Sequence, residues 1–443
     1  MLNKNTKISV KTAHGITHEA DVGDCLGQGT AGAGLVSAAN LDLGLQKLFN
    51  KSNKVMHFGN VRLQPICYQD DVGTMCASVD MAKSQAESLS QILKEKILQA
   101  HPDKSGLLIL GAKKYKTRIQ SEIKVNQIWL NNFALKTKQS DKYLGQIFES
   151  DLSSSALATV RYREGKIKGA AMEIRSIIED YQMQAMGGLV AAWELWERAL
   201  IPSLLAGAGT WLGDIREAEN LCNKIQNYYW KVVLKISDSC PKLALKCETN
   251  MVDSKWRIWE AKCLLLTQIQ ALEDGSLAKI TYLEAEYRGW PGLGREVRQI
   301  CLDIGIPDLN RYQVRKKDIQ KAIQKSHHKD MISLFEGSSK LEDIRYDSFS
   351  QIQDYFNDKN LETAIMKFRI RTKMLEKIHG NFKNKYRNQE NGLQCNMCLD
   401  EMTQNHCKIC PGRQTLREGM NMDNLDNLVE YFTEILSEKT SRK

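Results

Sequence analysis

The sequence feature that most limits the fold is a helical pattern that continues from about residue 154 to about residue 325. Apolar residues recur there at the three- and four-residue spacing of a buried helix face. Turns are expected near Pro202, Gly213, Pro241 and Pro291, because proline and glycine commonly end helices. The chain has only 7 prolines in 443 residues, so few sharp breaks are expected and this part is predicted to be an array of helices.

The part before residue 150 has a mixed pattern. Residues 6–25 combine short β-prone pieces with Gly and Asp, and residues 33–49 have the apolar spacing of a helix. Two β-like runs fall within residues 55–79, a helix is predicted over residues 80–99, and a strand is predicted to end at Gly111. This alternation predicts a small sheet with helices packed on it.

The overall prediction is an α+β protein with four regions. Residues 1–150 form a small antiparallel sheet with helices, and residues 151–240 and 241–390 form two helical regions. Residues 391–443 form a cysteine-rich module and a terminal helix.

Charge and hydropathy limit the partners. The chain has 62 Lys and Arg residues against 53 Asp and Glu, a net charge of +9 that is compatible with nucleic acid. No apolar run approaches the roughly 18 residues of a membrane span. The first residues, MLNKNTKISVK, are polar and lack the apolar core of a secretion signal. We therefore expect an intracellular protein of the cytoplasm, the nucleus or both, without a membrane partner.

The cysteines of the tail have the spacing of a zinc site. Cys395, Cys398, His406 and Cys410 give C-x₂-C-x₇-H-x₃-C, two close pairs joined by a short loop, which suits tetrahedral Zn²⁺. Cys407 lies inside the second pair and is a less suitable ligand. The alternative is that these side chains are unconnected. The spacing favours a structural Zn²⁺ without an open coordination position.

A glycine-rich stretch raises a separate question. Gly27, Gly29 and Gly32 spell G-x-G-x-x-G, which in dinucleotide-binding proteins follows a strand and precedes an acidic residue about 20 positions later. Here the lead-in from Glu19 to Asp24 carries three acids, and no acid stands near Ser52. The remaining interpretations are an ordinary strand-to-helix turn and a loop that approaches another phosphate-bearing partner.

Two adjacent carboxylates lie between the β-like runs. Asp70 and Asp71 follow Tyr68 and Gln69, and at a tight turn both carboxylates can point toward one site. Paired carboxylates of this kind bind Mg²⁺ in phosphoryl-transfer enzymes. The alternative is a solvated hairpin, because Asp is a common turn residue.

Four motifs follow one another in order. "QGTAGAGLVSAANLD" begins at Gln28, "YQDD" begins at Tyr68, a lysine stands at Lys104 and "KYLG" begins at Lys142. The series resembles the palm of reverse transcriptases encoded by non-LTR (LINE-like) retroelements. The resemblance continues to the C-terminus, where the cysteine tail is similar to the CCHC module of that family.

The resemblance implies an RNA-directed DNA polymerase with an RNA template, a DNA primer, dNTP and Mg²⁺. In the complete enzyme Asp70 and Asp71 would hold Mg²⁺, and Lys104 would protonate the pyrophosphate leaving group. The template, nucleotide and primer contacts that it implies are Gln28, Gly29, Tyr68, Leu144 and Gly145. Gly29 would let the backbone approach the template and nucleotide closely.

The resemblance also implies roles for the later regions. Residues 1–150 would be a partial palm and 151–240 a thumb, where the cations Arg161, Arg163 and Lys166 would contact duplex phosphates. The alternative for these cations is a solvated charged face.

In the region 241–390, the basic segment 367–387 carries Phe368, Phe382 and Tyr386. These aromatics either stack on unpaired bases or anchor a surface helix to the core.

One part of the family pattern is missing from the expected place. Reverse transcriptases have a further carboxylate well upstream of the Gln-Gly loop, and only 27 residues precede Gln28. Glu19, Asp21 and Asp24 lie too close to the loop to supply it. We therefore expect a truncated chain that does not polymerise without a missing N-terminal portion. Incorporation of dNTP by the purified chain, lost in Asp70→Ala, would overturn this expectation.

Three other functions are compatible with parts of the sequence. A non-catalytic, zinc-containing RNA- or DNA-binding protein derived from a retroelement needs only the basic helices and the tail. A helical scaffold needs neither metal nor nucleic acid. The stretch "HPDK" at 101–104 resembles the J-domain co-chaperone tripeptide, but the strand-like "SGLLILG" that follows argues against that assignment.

Overall fold

The structure is a computed structural model. It describes the strand residues between 6 and 22, Leu45, and residues 56–63, 65–68, 71–96, 98–179, 188–236, 240–336, 352–372, 374 and 408–437.

The chain forms two compact units that are not continuous in sequence. The first comprises Met1–Leu152 and Leu272–Trp290, and the second comprises Ser153–Ala271 and Pro291–Lys443. The predicted boundary at residue 150 lies close to the first division, whereas the predicted boundaries at 240 and 390 fall inside the second unit. Helical residues dominate the described chain, so the α+β class with small antiparallel sheets is confirmed at that level.

The strands are short and lie in the first unit. They are β1 Thr6–Ile8, β2 Lys11–Thr12, β3 Gly15–Ile16, β4 Ala20–Val22, β5 His57–Phe58, β6 Val61–Arg62, β7 Ile66–Tyr68, β8 Asp71–Gly73, β9 Leu107–Leu108, β10 Trp129–Leu130, β11 Phe133–Ala134, β12 Thr137–Lys138, β13 Ser140–Tyr143 and β14 Gln146–Glu149.

These strands associate in pairs. Antiparallel pairs join β1 to β4, β2 to β3, β5 to β6, β7 to β8, β10 to β11 and β13 to β14. The pair of β9 with β12 is parallel, with Leu107 opposite Thr137, so one pairing departs from the predicted antiparallel arrangement.

The helices fill most of the second unit and part of the first. They are α1 Val79–Glu95, α2 Lys113–Val125, α3 Ser155–Glu179, α4 Gly188–Leu195, α5 Ile201–Leu204, α6 Arg216–Val233, α7 Lys242–Thr249, α8 Ser254–Ala271, α9 Leu277–Tyr287, α10 Leu293–Ile304, α11 Lys316–Glu336, α12 Leu361–Arg371, α13 Gln414–Arg417 and α14 Leu425–Ser437.

The core of the second unit forms between α3 and α6. Val160, Ala171 and Ile178 of α3 are fully buried, and so are Tyr229 and Trp230 of α6. The three residues of α3 recur at spacings close to whole turns, so they lie on one apolar face of that helix.

One predicted turn lies later than expected. Pro202 is at the start of α5, which continues α4 through a π-helical turn, Trp196–Leu200. In the π-helical turn the Ile201 N–H bonds to the Trp196 carbonyl, and the chain turns only at Gly207, whose φ is +72°. The wider turn accommodates the proline, which has no N–H to donate.

Among the described helices, none has both the length and the apolar composition that crossing a membrane requires.

Candidate functional site

The "YQDD" motif lies on the hairpin of β7 and β8. Tyr68 pairs directly with Asp71, so Gln69 and Asp70, which lie outside the described residues, form the connection. Alternation of side chains along a strand puts Tyr68 and Asp71 on one face of the hairpin. Both are exposed, and Tyr68 keeps 55% of its surface in solvent. This face can therefore meet a large ligand.

The opposite face of the same hairpin is packed. Cys67 and Val72 contact the buried pair Leu45 and Ile92. Leu45 is helical and only 5% exposed, and it belongs to the helix predicted over residues 33–49. Gln28, Gly29 and the rest of that predicted helix lie outside the described residues. Leu45 is thus the described residue of this stretch that packs on the hairpin of the carboxylates.

The "KYLG" motif forms the tip of a second hairpin. Tyr143 of β13 pairs with Gln146 of β14, and Leu144 and Gly145 make the two-residue turn between them. Both turn residues are left-handed, with φ of +48° and +78°, as in a type I′ hairpin turn. A left-handed leucine costs about 1–2 kcal/mol, and Leu144 is also largely exposed. A strained, exposed apolar side chain at a hairpin tip is typical of a contact site.

Tyr143 of the second hairpin lies close enough to the first for an electrostatic effect. Burial raises the pKa of Tyr143, and the negative charge of Asp71 and the nearby Cys67 raise it further. Its hydroxyl is buried and has no hydrogen-bond partner among the described residues. The sequence analysis did not single out Tyr143, although Tyr143 lies inside the "KYLG" motif.

Lys104 lies in an exposed turn that precedes β9. Lys138 Nζ donates to the Lys104 carbonyl at 2.8 Å and pairs with Asp141 Oδ1 at 3.0 Å. Lys138 therefore links the Lys104 turn to the base of the "KYLG" hairpin, in addition to the parallel pairing of β9 with β12. The sequence analysis did not identify Lys138.

One predicted Mg²⁺ ligand, Asp71, lies on the described part of the hairpin. Asp71 supplies an exposed carboxylate, and carboxylate oxygens are the ligands that Mg²⁺ prefers. No group of three or more metal-ligating side chains lies together in the part of the chain that the structure describes. The predicted ligands outside that part are Asp70, Cys395, Cys398 and His406.

The predicted zinc ligand Cys410 is placed in the interior. Its side chain is fully buried in a cluster with Ile370, Tyr431 and Phe432. Its carbonyl accepts a hydrogen bond from Arg417 Nη1 at 2.7 Å. Cys410 thus packs between α12 and α14.

The cations of α3 have different environments. Arg161 and Lys166 are exposed, and Lys166 Nζ lies 5.2 Å from the ring centroid of Tyr162. These residues form a basic, aromatic patch on the solvent face of the helix. Such a patch can contact phosphates.

The predicted phosphate contact of Arg163 is wrong. Arg163 is 8% exposed and donates through Nη1 to the carbonyls of Leu204 at 2.9 Å and Ala206 at 2.8 Å. Burial lowers its pKa. It closes the C-terminal end of α5, and a bound nucleic acid would not reach it.

The first two residues of the basic segment 367–387 are also buried. Phe368 is fully buried in the main core, and Lys367 pairs with Asp358 at 2.9 Å and with Asp426 at 2.5 Å. Phe368 therefore anchors a helix to the core, while Phe382 and Tyr386 lie outside the described residues.

A comparison with protein-family models, with curated proteins and with solved structures gives no match to this chain.

Proposed function

We propose that this chain contains the metal-binding and primer-holding part of an RNA-directed DNA polymerase of the non-LTR retroelement type. The observation that supports the proposal is the convergence on the β7–β8 hairpin: Tyr143 approaches it from the "KYLG" turn, and Leu45 packs on its other face. Residues of the "YQDD" and "KYLG" hairpins therefore lie near one another, which supports the assignment of both motifs to one site.

The reaction is the attack of a primer 3′-hydroxyl on the α-phosphate of a dNTP. A new P–O bond forms, the bond from the α-phosphorus to the oxygen that bridges to the β-phosphate breaks, pyrophosphate leaves, and the 3′-hydroxyl proton passes to solvent water. Mg²⁺ held by Asp70 and Asp71 would neutralise charge on the attacking and leaving oxygens.

The chain's own residues supply orientation and a proton. Lys104, exposed beside the base of the second hairpin, would give its ammonium proton to the leaving pyrophosphate. The exposed turn of Leu144 and Gly145 would contact the primer, and Gln28 and Gly29 would place the template base and the nucleotide. Tyr68 would face the same bound strands, because it shares a hairpin face with Asp71.

The second unit would hold the nucleic acid. Arg161 and Lys166 are solvent-facing cations on α3, a 25-residue helix, and Tyr162 lies beside them. They would neutralise phosphates of the duplex without reading its sequence. Zn²⁺ bound by Cys395, Cys398, His406 and Cys410 would have a structural role in the tail.

A second candidate is a non-catalytic RNA- or DNA-binding protein with a structural zinc. The exposed cations of α3 favour it independently, because phosphate binding by Arg161 and Lys166 needs no metal at Asp71. The two candidates differ in whether function needs the carboxylates of the hairpin, Asp70 and Asp71.

The test compares the full chain with Asp70→Asn/Asp71→Asn and with the control Asp80→Asn/Asp103→Asn, which removes two exposed carboxylates from the same unit. Each protein is mixed with a primed RNA template, Mg²⁺ and labelled dNTP. Template-dependent dNTP binding is measured by filter retention, and incorporation is measured on a denaturing gel.

The polymerase proposal predicts template-dependent dNTP retention that needs Mg²⁺, is lost in the Asp70/Asp71 variant and persists in the control. Incorporation with the same dependence would support it further. RNA binding that is sensitive to salt but indifferent to Mg²⁺, to dNTP and to the Asp70/Asp71 variant would contradict the polymerase and assign the second candidate.

A further inference from the structure

Helix α11 carries a regular row of lysines that the proposed function does not use. Lys317, Lys321, Lys325 and Lys329 follow one another every four residues, and all four are exposed. Twelve residues of α-helix span about 18 Å, so the row covers most of the length of this 21-residue helix. Rows at a four-residue spacing are inclined by roughly 26° to the helix axis.

The buried face of α11 fixes the direction of this row. The buried residues of the helix are Ile319, Ile323, His327 and Met331, which also repeat every four positions. Each stands two residues after a lysine, and two residues correspond to about 200° of rotation around a helix. The lysines therefore lie on the side opposite the packed face. Gln320 Nε2, which donates to Glu260 Oε1 of α8 at 2.7 Å, helps to hold the helix in this orientation.

None of the four lysines forms a direct ion pair with a residue that the structure describes. Arg315 and, at longer range, Lys321 lower the pKa of Asp318 on the same helix. Asp318 is paired with Arg315, whose Nε lies 2.7 Å from Oδ2. Like charges four residues apart destabilise a helix, so the row does not stabilise α11. The segment from 315 to 330 has six basic and two acidic residues, an excess of positive charge that an anion can use.

The form of the row indicates the kind of anion. The exposed residues of α11 include no aromatic side chain that could stack on an unpaired base, so the row offers contacts to phosphates alone. Between 316 and 330 they also include no apolar residue that could insert into a membrane. Over 18 Å of its axis, a duplex strand displays roughly five phosphates, which is close to the number of lysines.

We propose that the α11 lysine row holds the phosphate backbone of an RNA–DNA duplex, without sequence preference. The choice of this duplex rests on the proposed function, because it is the product of RNA-directed DNA synthesis. The row would be a second contact to nucleic acid, in addition to Arg161 and Lys166 of α3.

The test uses the full chain with Lys321, Lys325 and Lys329 changed to Gln. Gln has nearly the helix propensity of Lys, so α11 should still form. The matched control changes Lys224, Lys242 and Lys359 to Gln, because these lysines are also exposed on the second unit but lie on three different segments. Both variants lower the net charge equally. Fluorescence anisotropy measures affinity for a labelled RNA–DNA duplex of about 20 base pairs across a salt series, without Mg²⁺ or dNTP.

The proposal predicts that the α11 variant loses at least about tenfold in affinity near 0.1 M salt, and that the slope of log affinity against log salt falls by roughly three units. The control variant should change little, and circular dichroism should show both folded. Equal losses in the two variants, or unchanged binding by the α11 variant, would overturn it. The same variant is also measured with single-stranded RNA, an acidic peptide and phosphatidylserine vesicles. A larger loss of affinity for any of these than for the duplex would also overturn the proposal.

Duplex anisotropy and the dNTP filter assay, applied to the same α11 variant, together separate the two proposals. Binding that depends on the row but lacks any dNTP or Asp71 dependence supports the α11 surface and contradicts the polymerase. Template-dependent dNTP retention that the α11 variant keeps, together with unchanged duplex affinity, supports the polymerase and rejects the α11 surface.

Discussion

Two arginines on α3 illustrate how position alone changes the role of a side chain. Arg161 and Arg163 are two residues apart, so they point to nearly opposite sides of the helix. Arg161 faces solvent, whereas Arg163 is buried against the carbonyls of Leu204 and Ala206. Arg161 is therefore available to phosphates, whereas Arg163 stabilises the fold.

The same substitution at the two positions should therefore have different effects. Arg163→Met leaves two carbonyls without their donor and should lower the free energy of unfolding by about 2–4 kcal/mol. Arg161→Met should change it by less than about 0.5 kcal/mol and should weaken RNA binding instead. Urea denaturation and anisotropy measure the two quantities. Equal loss of stability in both variants would contradict the placement of Arg163.

His327 is a second residue whose environment determines its chemistry. It lies on the buried face of α11, is 7% exposed and contacts the edge of Trp256, with ring centroids 6.2 Å apart. Burial lowers its pKa, an effect that Asp253 partly offsets. Its Nε2 has no hydrogen-bond partner in the described part of the chain.

This environment predicts a pH-dependent loss of stability. The unfolded chain protonates His327 near pH 6.5, while the folded chain resists protonation until lower pH. The unfolded state thus binds more protons in this window, so the free energy of unfolding falls as pH decreases below about 6.5, by at most about 1.4 kcal/mol per pH unit.

His327→Leu should flatten this part of the pH profile, and His328→Leu, at the next and more exposed position, serves as the control. Urea unfolding at several pH values between 5 and 7.5, a range of about two units around the ordinary His value, measures the slope. A slope that is the same in the wild type and in His327→Leu would show that His327 is not buried as described.

At the scale of elements, α9 is the least expected feature. It lies in sequence between two helices of the second unit but packs with the first. Phe58 meets Trp290, just after α9, edge to face with ring centroids 4.7 Å apart. Glu284 of α9 accepts a hydrogen bond from the backbone N–H of Asn60 at 3.2 Å and pairs with Arg288. These contacts hold α9 against the β5–β6 hairpin.

Gly59 tests this contact. Its φ is +60°, and a Cβ added there would overlap Glu284 Oε1. Gly59→Ala should strain the turn and displace Glu284 from Asn60, lowering the free energy of unfolding by about 1–2 kcal/mol. Gly275→Ala, where a Cβ meets nothing, is the matched control. The denaturant midpoints of the two variants measure their stability. If Gly59→Ala leaves the stability unchanged, α9 does not pack on the β5–β6 hairpin as described.

Local sequence was sufficient for many elements and insufficient for others. The periodicity over residues 160–175 predicted α3, because one face of that helix is buried along its length. The "KYLG" turn shows in the sequence because glycine tolerates a left-handed backbone. The return of α9 to the first unit could not be predicted, because it depends on packing against residues far away in sequence. The π-helical turn before Pro202 was not predicted, because the proline was expected to end the helix.

The site residues Asp71, Lys104, Leu144 and Gly145 were predicted from residue type, spacing and the family resemblance, and their roles stay predictions. The proximity of Tyr143 to Asp71 and the hydrogen bond from Lys138 to the Lys104 carbonyl join segments far apart in sequence and needed the structure. Arg163 was assigned wrongly because charge and helical spacing do not reveal which face of a helix is buried.

At the scale of the whole molecule, the two compact units carry different features. The first carries the hairpin of Asp71 and the turn of Leu144 and Gly145. The second is a helical body that presents lysines and arginines to solvent on α3 and α11. We propose separate tasks for them, and the central part of this proposal is a metal site at the β7–β8 hairpin beside Tyr143.

The most direct test is paramagnetic broadening by Mn²⁺, which takes the same oxygen ligands as Mg²⁺. In the chain with ring-labelled tyrosine, substoichiometric Mn²⁺ should broaden the NMR signals of Tyr143 and Tyr68 and leave those of Tyr229 and Tyr355, in the core of the second unit, sharp. Asp70→Asn/Asp71→Asn should abolish the broadening. If Tyr143 stays sharp when Mn²⁺ is bound, or broadens equally in the variant, the metal site is not at this hairpin and the polymerase account is contradicted.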